Sequence, residues 1–158
     1  MAPAQPVPRE ERVLRASREV AAPAARIFAL IADPAEQPRW DGNDNLAEAA
    51  PGQRIRAVGD VFVMTNLGGG VRENHVVAFA EGREIAWMPA PQGEVVPGHR
   101  WGWELEALDG DRTLVTHTYD FSQLNEEKRL AKARSFTAGT LRASIDRLAL
   151  LAERNGGS

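Results

Sequence analysis

The stretch His99-Arg-Trp-Gly-Trp-Glu-Leu-Glu-Ala-Leu108, then Asp109-Gly-Asp111, then Arg112-Thr-Leu-Val-Thr-His-Thr-Tyr-Asp-Phe121 reads as two strands around a tight turn. That turn sets Trp103 near His117 and Trp101 near Tyr119. Side chains alternate across a strand with period two. One face therefore carries His99, Trp101, Trp103, Leu105, Val115, His117, Tyr119 and Phe121. The other carries Arg100, Glu104, Glu106, Thr116, Thr118 and Asp120, and belongs in water. A slip of one residue would exchange the two faces, so the reading depends on this register.

Outward from the hairpin the chain stays rich in strands. Val71 to Ala80 and Arg83 to Met88 form an earlier pair around Glu81-Gly82, and they carry His75 and Trp87. Pro89 to Gly98 reads as a long loop. Asp60 to Leu67 is a strand with four apolar residues in a row, a run compatible with burial on both faces. Gly68-Gly69-Gly70 is a turn, because it joins two strands and no phosphate-loop spacing is present. One more strand lies within Leu46 to Val58, and the first runs from Glu11 to Val20. Between them Ala22-Pro23 opens a helix whose Ile27, Leu30 and Ile31 share a face, and Asp33-Pro34 ends it. A short second helix or turn follows from Ala35 to Trp40, then a turn at Asp41-Gly42-Asn43-Asp44.

After the last strand, one long helix is predicted from about Asn125 to Glu153. Its inner stripe includes Leu130, Ala133, Thr137, Leu141, Ser144, Ile145 and Leu148, small near Ala133 and Thr137 and larger beyond. Gly139 falls mid-helix, where it permits a bend or a close approach. Runs of strands closed by a helix argue for an α+β layer fold. An aromatic sheet facing a small-residue stripe can enclose a cavity, the usual form of a small-molecule site.

The chain of 158 residues has the length of one domain, and no cysteine offers thiol chemistry or a disulfide. A net charge of -3 argues against nucleic acid as a partner. No apolar window is long enough to insert in a membrane. The first eight residues, with three prolines, lack the pattern of a secretory signal. The expected organisation is a disordered lead-in over 1–10, one domain over 11–153 and a disordered tail over 154–158, in the cytoplasm.

Several stretches carry a family resemblance: Val20-Ala-Ala-Pro23 with Ile27-Phe28, Ala32-Asp33-Pro34 through Pro38-Arg-Trp40, and Val58-Gly-Asp-Val61. Glu73-Asn-His75, Ile85-Ala-Trp87 and Arg112 through Tyr119 continue it. On these residues the chain resembles the START-related, birch-pollen-allergen-like superfamily. Within that superfamily it is most similar to the bacterial polyketide cyclase/dehydratase and lipid-transport family. The resemblance implies a helix-grip fold: a seven-stranded curved antiparallel sheet around a long C-terminal helix, with two short helices after strand 1. It implies a hydrophobic small-molecule ligand, namely a lipid, a polyketide or an aromatic metabolite. It carries over no catalytic residue, and it leaves a homodimer open. Fold does not fix function.

The candidate ligand-binding residues are Trp40, His75, Trp87, Trp101, Trp103, His117, Tyr119, Phe121, Ala133, Thr137 and Leu141. His117 and Tyr119 are also the candidate acid–base pair of a polyketide cyclase or dehydratase. The plainer reading is that both rings pack a core and His117 satisfies a backbone group. Glu73 beside His75 suggests a carboxylate orienting a base, against the ordinary alternative of a wet strand face. The inward face of that strand is fixed by the Glu81-Gly82 turn, whose type the sequence does not give. Trp40 reads equally as a gate at one end of the cavity or as a cover over the core edge. Three histidines on three strands lack any metal-ligand spacing, so neither metal nor cofactor is expected. An interaction module with a collapsed cavity is the third reading.

Overall fold

A computed structural model describes residues 12–156, so the expected lead-in 1–10 and the last two residues of the tail lie outside the described residues. Strand β1 is Val13–Val20. Helix α1, Ala24–Ala32, follows with Pro23 at its N-cap and buries Ile27, Phe28, Leu30 and Ile31. Its end shows why the next segment is placed as it is. The helical partner of the Leu30 carbonyl would be the N–H of residue 34, which is proline and has none. The Trp40 indole N–H donates to Leu30 O instead, at 2.9 Å, and the Gln37 amide donates to Ile31 O at 3.1 Å. The capping groups sit on α2, Gln37–Trp40, reached through a 3-10 turn over Pro34–Glu36.

The turn after α2 is tied to the last helix. Gly42 N–H donates to Ser144 Oγ, and Arg147 donates to the Asp41 carbonyl and the Asp44 carboxylate. Strands β2 (Leu46–Glu48), β3 (Val61–Asn66) and β4 (Val71–Ala80) come next. In β3 only Phe62 and Met64 are buried, while Val61 and Val63 are exposed. The apolar run thus has one buried face rather than two.

Strand β5 runs Glu84–Pro91, three residues beyond the expected end at Met88. Its final part pairs with β4 through Pro89, Ala90 and Pro91, whereas its pairing with β6 stops at Trp87. Proline is tolerated where one side of a strand has no partner. Strands β6 (Arg100–Leu108) and β7 (Arg112–Asp120) pair as the sequence implies, with Trp103 opposite His117 and Trp101 opposite Tyr119. The seven strands form one antiparallel curved sheet in the order β1-β7-β6-β5-β4-β3-β2. This is the helix-grip architecture.

The C-terminal helix differs from expectation. It is two helices, α3 (Glu127–Ala133) and α4 (Ala138–Gly156). Thr137 and Thr140 cap the start of α4 reciprocally: Thr137 N–H donates to Thr140 Oγ1, and Thr140 N–H to Thr137 Oγ1. Gly139 therefore lies in the first turn of α4, not mid-helix. Helix α4 packs directly on β1, β7, α1 and α2, and the Arg18–Asp146 ion pair at 2.9 Å ties it to β1. Its Leu141, Ile145, Leu148, Ala149 and Ala152 are fully buried there.

Candidate functional site

Because α4 closes on the β1–β7 edge, the inner face of the remaining strands is left to α2, α3 and the connecting loops. A cavity of about 160 Å³ lies there. Trp87 from β5, Trp101 and Trp103 from β6, and His117 and Tyr119 from β7 line it. Trp40 of α2 and Ala133 of α3 close the opposite side. The β6–β7 hairpin supplies the floor as stacked rings. Trp103 stacks on His117 with centroids 3.7 Å apart, and Trp101 on Tyr119 at 4.0 Å. Trp40 meets Trp103 edge to face at 5.2 Å. With its indole hydrogen-bonded and its side chain buried, Trp40 is a fixed wall.

Four of the expected lining residues fall outside the cavity. His75 points to the outer face of β4, opposite Val61 and Met88, while Asn74 and Val76 point inward. The cause is a bulge between Val76 and Ala78. Below the turn, Phe79 pairs with the buried Ile85; above the bulge, Val76 pairs with the buried Trp87. The inward parity switches from odd to even at the extra residue. Glu73 shares the outer face with His75, and its carboxylate accepts from Gly93 N–H, so the two do not form a pair in the cavity. Phe121 is buried beside the cavity, stacked on Tyr119 at 5.4 Å. Leu141 is buried in the same cluster, and Thr137 is an exposed cap. The cavity lies under α3 and not under the long helix, which explains why both residues are absent from its wall.

The titratable groups of the floor are held neutral. His117 Nδ1 lies 2.8 Å from Gly102 O. A carbonyl oxygen only accepts, so Nδ1 carries the hydrogen and Nε2 keeps its lone pair. Burial pushes His117 down to about 4, against a smaller opposing effect of the Gly102 hydrogen bond. Burial also raises the Tyr119 phenol above its ordinary value. At neutral pH the pair offers a hydrogen-bond acceptor and a donor, with no charge. His99, at the mouth of β6, is pushed down to about 4 by burial and then by the charges of Arg129, Arg72 and Lys132.

Much of the remaining wall is not apparent in the sequence. Phe136, between α3 and α4, meets Trp101 and Tyr119 edge to face at 5.5 and 5.3 Å. Asn74 and Arg72 enter from β4, and Asn43 and Asn45 from the loop after α2. Asp41 is buried at the same rim. Its carboxylate accepts from Asn43 and Asn45 N–H, and its pKa is raised by burial.

Residues 11–153 match the family described as polyketide cyclase/dehydrase and lipid transport. Two uncharacterized Mycobacterium tuberculosis proteins, from strains CDC 1551 and H37Rv, are each 35% identical over 107 residues. The match spans 66% of this chain and 46% of theirs, so the chain spans about half the length of these curated relatives. Among solved structures, a START superfamily protein from Mycobacterium smegmatis superposes with a TM-score of 0.63 at 18% identity, covering 90% of this chain and 97% of that one. MLL2253 from Mesorhizobium loti gives 0.64 at 17%, covering 90% and 98%. DynU16, from the dynemicin biosynthetic locus, gives 0.63 at 18%, covering 90% and 47%. At these identities the structures share the fold.

Proposed function

The chain belongs to the polyketide cyclase/dehydrase and lipid-transport family, and on that premise we propose that it binds a hydrophobic small molecule in the cavity beneath α3. A lipid, a polyketide or an aromatic metabolite fits the chemistry of the wall. The observation that carries this reading is the open space above stacked, uncharged rings, where a packed core would have none. The absence of cysteine agrees with a cytoplasmic location. Native mass spectrometry of freshly purified protein, followed by denaturing extraction, tests the reading. A stoichiometric apolar ligand supports it. A protein that arrives empty and binds no apolar compound argues against it.

A second reading is a polyketide cyclase or dehydratase working in the same cavity. The side-by-side acceptor on His117 and donor on Tyr119 favour it, since together they could polarise a carbonyl and accept a proton. The depressed basicity of His117 weighs against it, because a general base works best with a pKa near the operating pH. Turnover of polyketide substrates by the intact protein, lost in both His117→Ala and Tyr119→Phe, would establish this reading over simple carriage.

A further inference from the structure

The cavity wall is not electrically neutral at its rim. Arg72 from β4 and Arg129 and Lys132 from α3 all line it, and Asp41 is the one carboxylate among the lining residues described. That carboxylate is engaged by backbone N–H groups of its own loop. Glu126 pairs with Arg129 at 3.0 Å but is largely exposed, while Arg72 and Lys132 have no carboxylate partner among the described residues. His99 lies within the field of all three cations.

A second observation is independent of charge. Among the described residues, three buried polar side-chain atoms lack a hydrogen-bond partner: Asn43 Oδ1, His99 Nδ1 and Trp103 Nε1. All three residues line this one cavity. Buried polar groups are nearly always satisfied, and Trp Nε1 can only donate. Of the three, His99 Nδ1 lies among the cations and can donate to an acidic group there, whereas Asn43 Oδ1 only accepts and calls for a donor on the molecule, and Trp103 Nε1 lies with the aromatic floor.

We propose that the molecule bound here carries an acidic group, a carboxylate, seated among Arg72, Arg129, Lys132 and His99, with its apolar body over the β6–β7 rings. This rests on the small-molecule reading above and names the ligand class within it. A carboxylate accepts charge-assisted hydrogen bonds from Arg and Lys, and these are stronger than neutral ones. It also accepts from the His99 ring, which has a hydrogen to give at neutral pH. The apolar body then occupies the part of the cavity whose histidine and tyrosine are uncharged.

The test compares two probes of nearly equal size, 1-naphthoic acid and the neutral 1-naphthalenemethanol, by calorimetry at low salt. The acid binds about tenfold or more tightly than the alcohol if the cations hold it. The ratio falls toward one in Arg72→Met/Lys132→Met, whose folding is checked by circular dichroism, and it shrinks as salt is raised. Acid binding also raises the His99 pKa, read by NMR, because a nearby anion favours the imidazolium. Equal affinity for both probes overturns the acidic-ligand proposal and leaves the cavity reading standing. A preference that survives undiminished in the double variant overturns the assignment to Arg72 and Lys132. Binding of neither probe counts against the cavity reading and this proposal together.

Discussion

Trp103 and His117 lie face to face across β6 and β7, 3.7 Å between centroids and 14° from parallel, while His117 Nδ1–H donates to Gly102 O. The indole covers one face of the imidazole, and the strand fixes its tautomer. Burial beneath the indole holds the ring neutral against the smaller opposing effect of the Gly102 hydrogen bond, and this has a measurable consequence.

His117 titrates near 4 in the folded protein and near 6.5 in an unfolded chain. Above pH 6.5 it is neutral in both states. As pH falls below 6.5, the unfolded state binds the proton first, so stability drops progressively until about pH 4 and then levels off. The loss is on the order of 3 kcal/mol for this residue. His117→Phe keeps a stacking ring and removes the titration. Urea unfolding measured between pH 7 and pH 4 is expected to show a shallower fall in the variant than in the natural protein. Equal slopes would mean that the buried imidazole takes up its proton without cost.

The junction of α1 and α2 depends on a side chain replacing a backbone donor. Trp40→Phe retains an aromatic ring against Trp103 but removes the N–H that Leu30 O accepts, and Pro34 cannot supply another. Leaving that carbonyl unsatisfied is expected to cost about 1–3 kcal/mol. The midpoint of denaturant unfolding reports it directly, with the slope unchanged. An unshifted midpoint would show that the carbonyl finds water instead.

Glycine is required where the loop after α2 touches α4. A Cβ on Gly42 would sit 2.5 Å from Ser144 N and 2.9 Å from Ala143. Gly42→Ala must therefore displace the loop from the helix, at a cost of about 1–3 kcal/mol, comparable to overpacking a core. Gly102→Ala is the control, because its Cβ would meet Ala86 at an ordinary 3.7 Å. Thermal unfolding is expected to separate the two variants clearly. Equal melting temperatures would contradict the close packing of loop and helix.

The parts of the fold legible in the sequence are those set by short-range rules. The β6–β7 register follows from Asp109-Gly-Asp111 and from the alternation of aromatic and charged residues on either side, and the structure reproduces it pair for pair. The limits of β4, Val71–Ala80, are legible in the same way, from the Gly68-Gly69-Gly70 and Glu81-Gly82 turns that bound it. Three features resisted. The bulge on β4 inserts no glycine or proline, so nothing in the composition announces the change of parity that turns His75 outward and Arg72 and Asn74 inward. The prolines at 89 and 91 read as loop because sequence does not show that one side of β5 is unpartnered there. The break before α4 is made by a Thr137–Thr140 cap within an otherwise helical pattern. The apolar half of the candidate site was thus legible from one hairpin, while the polar half depends on where distant strands and α3 meet.

The account rests most on the cavity being real space that an apolar molecule can enter. Ala133 is buried in its wall on α3, and Ala133→Phe would place a ring in that space. A neutral naphthalene-based fluorophore is titrated into the natural protein and into this variant, with near-ultraviolet circular dichroism confirming that both are folded. The account predicts saturable one-to-one binding by the natural protein and its loss in Ala133→Phe. Equal binding by both proteins, or none by the natural one, would contradict it.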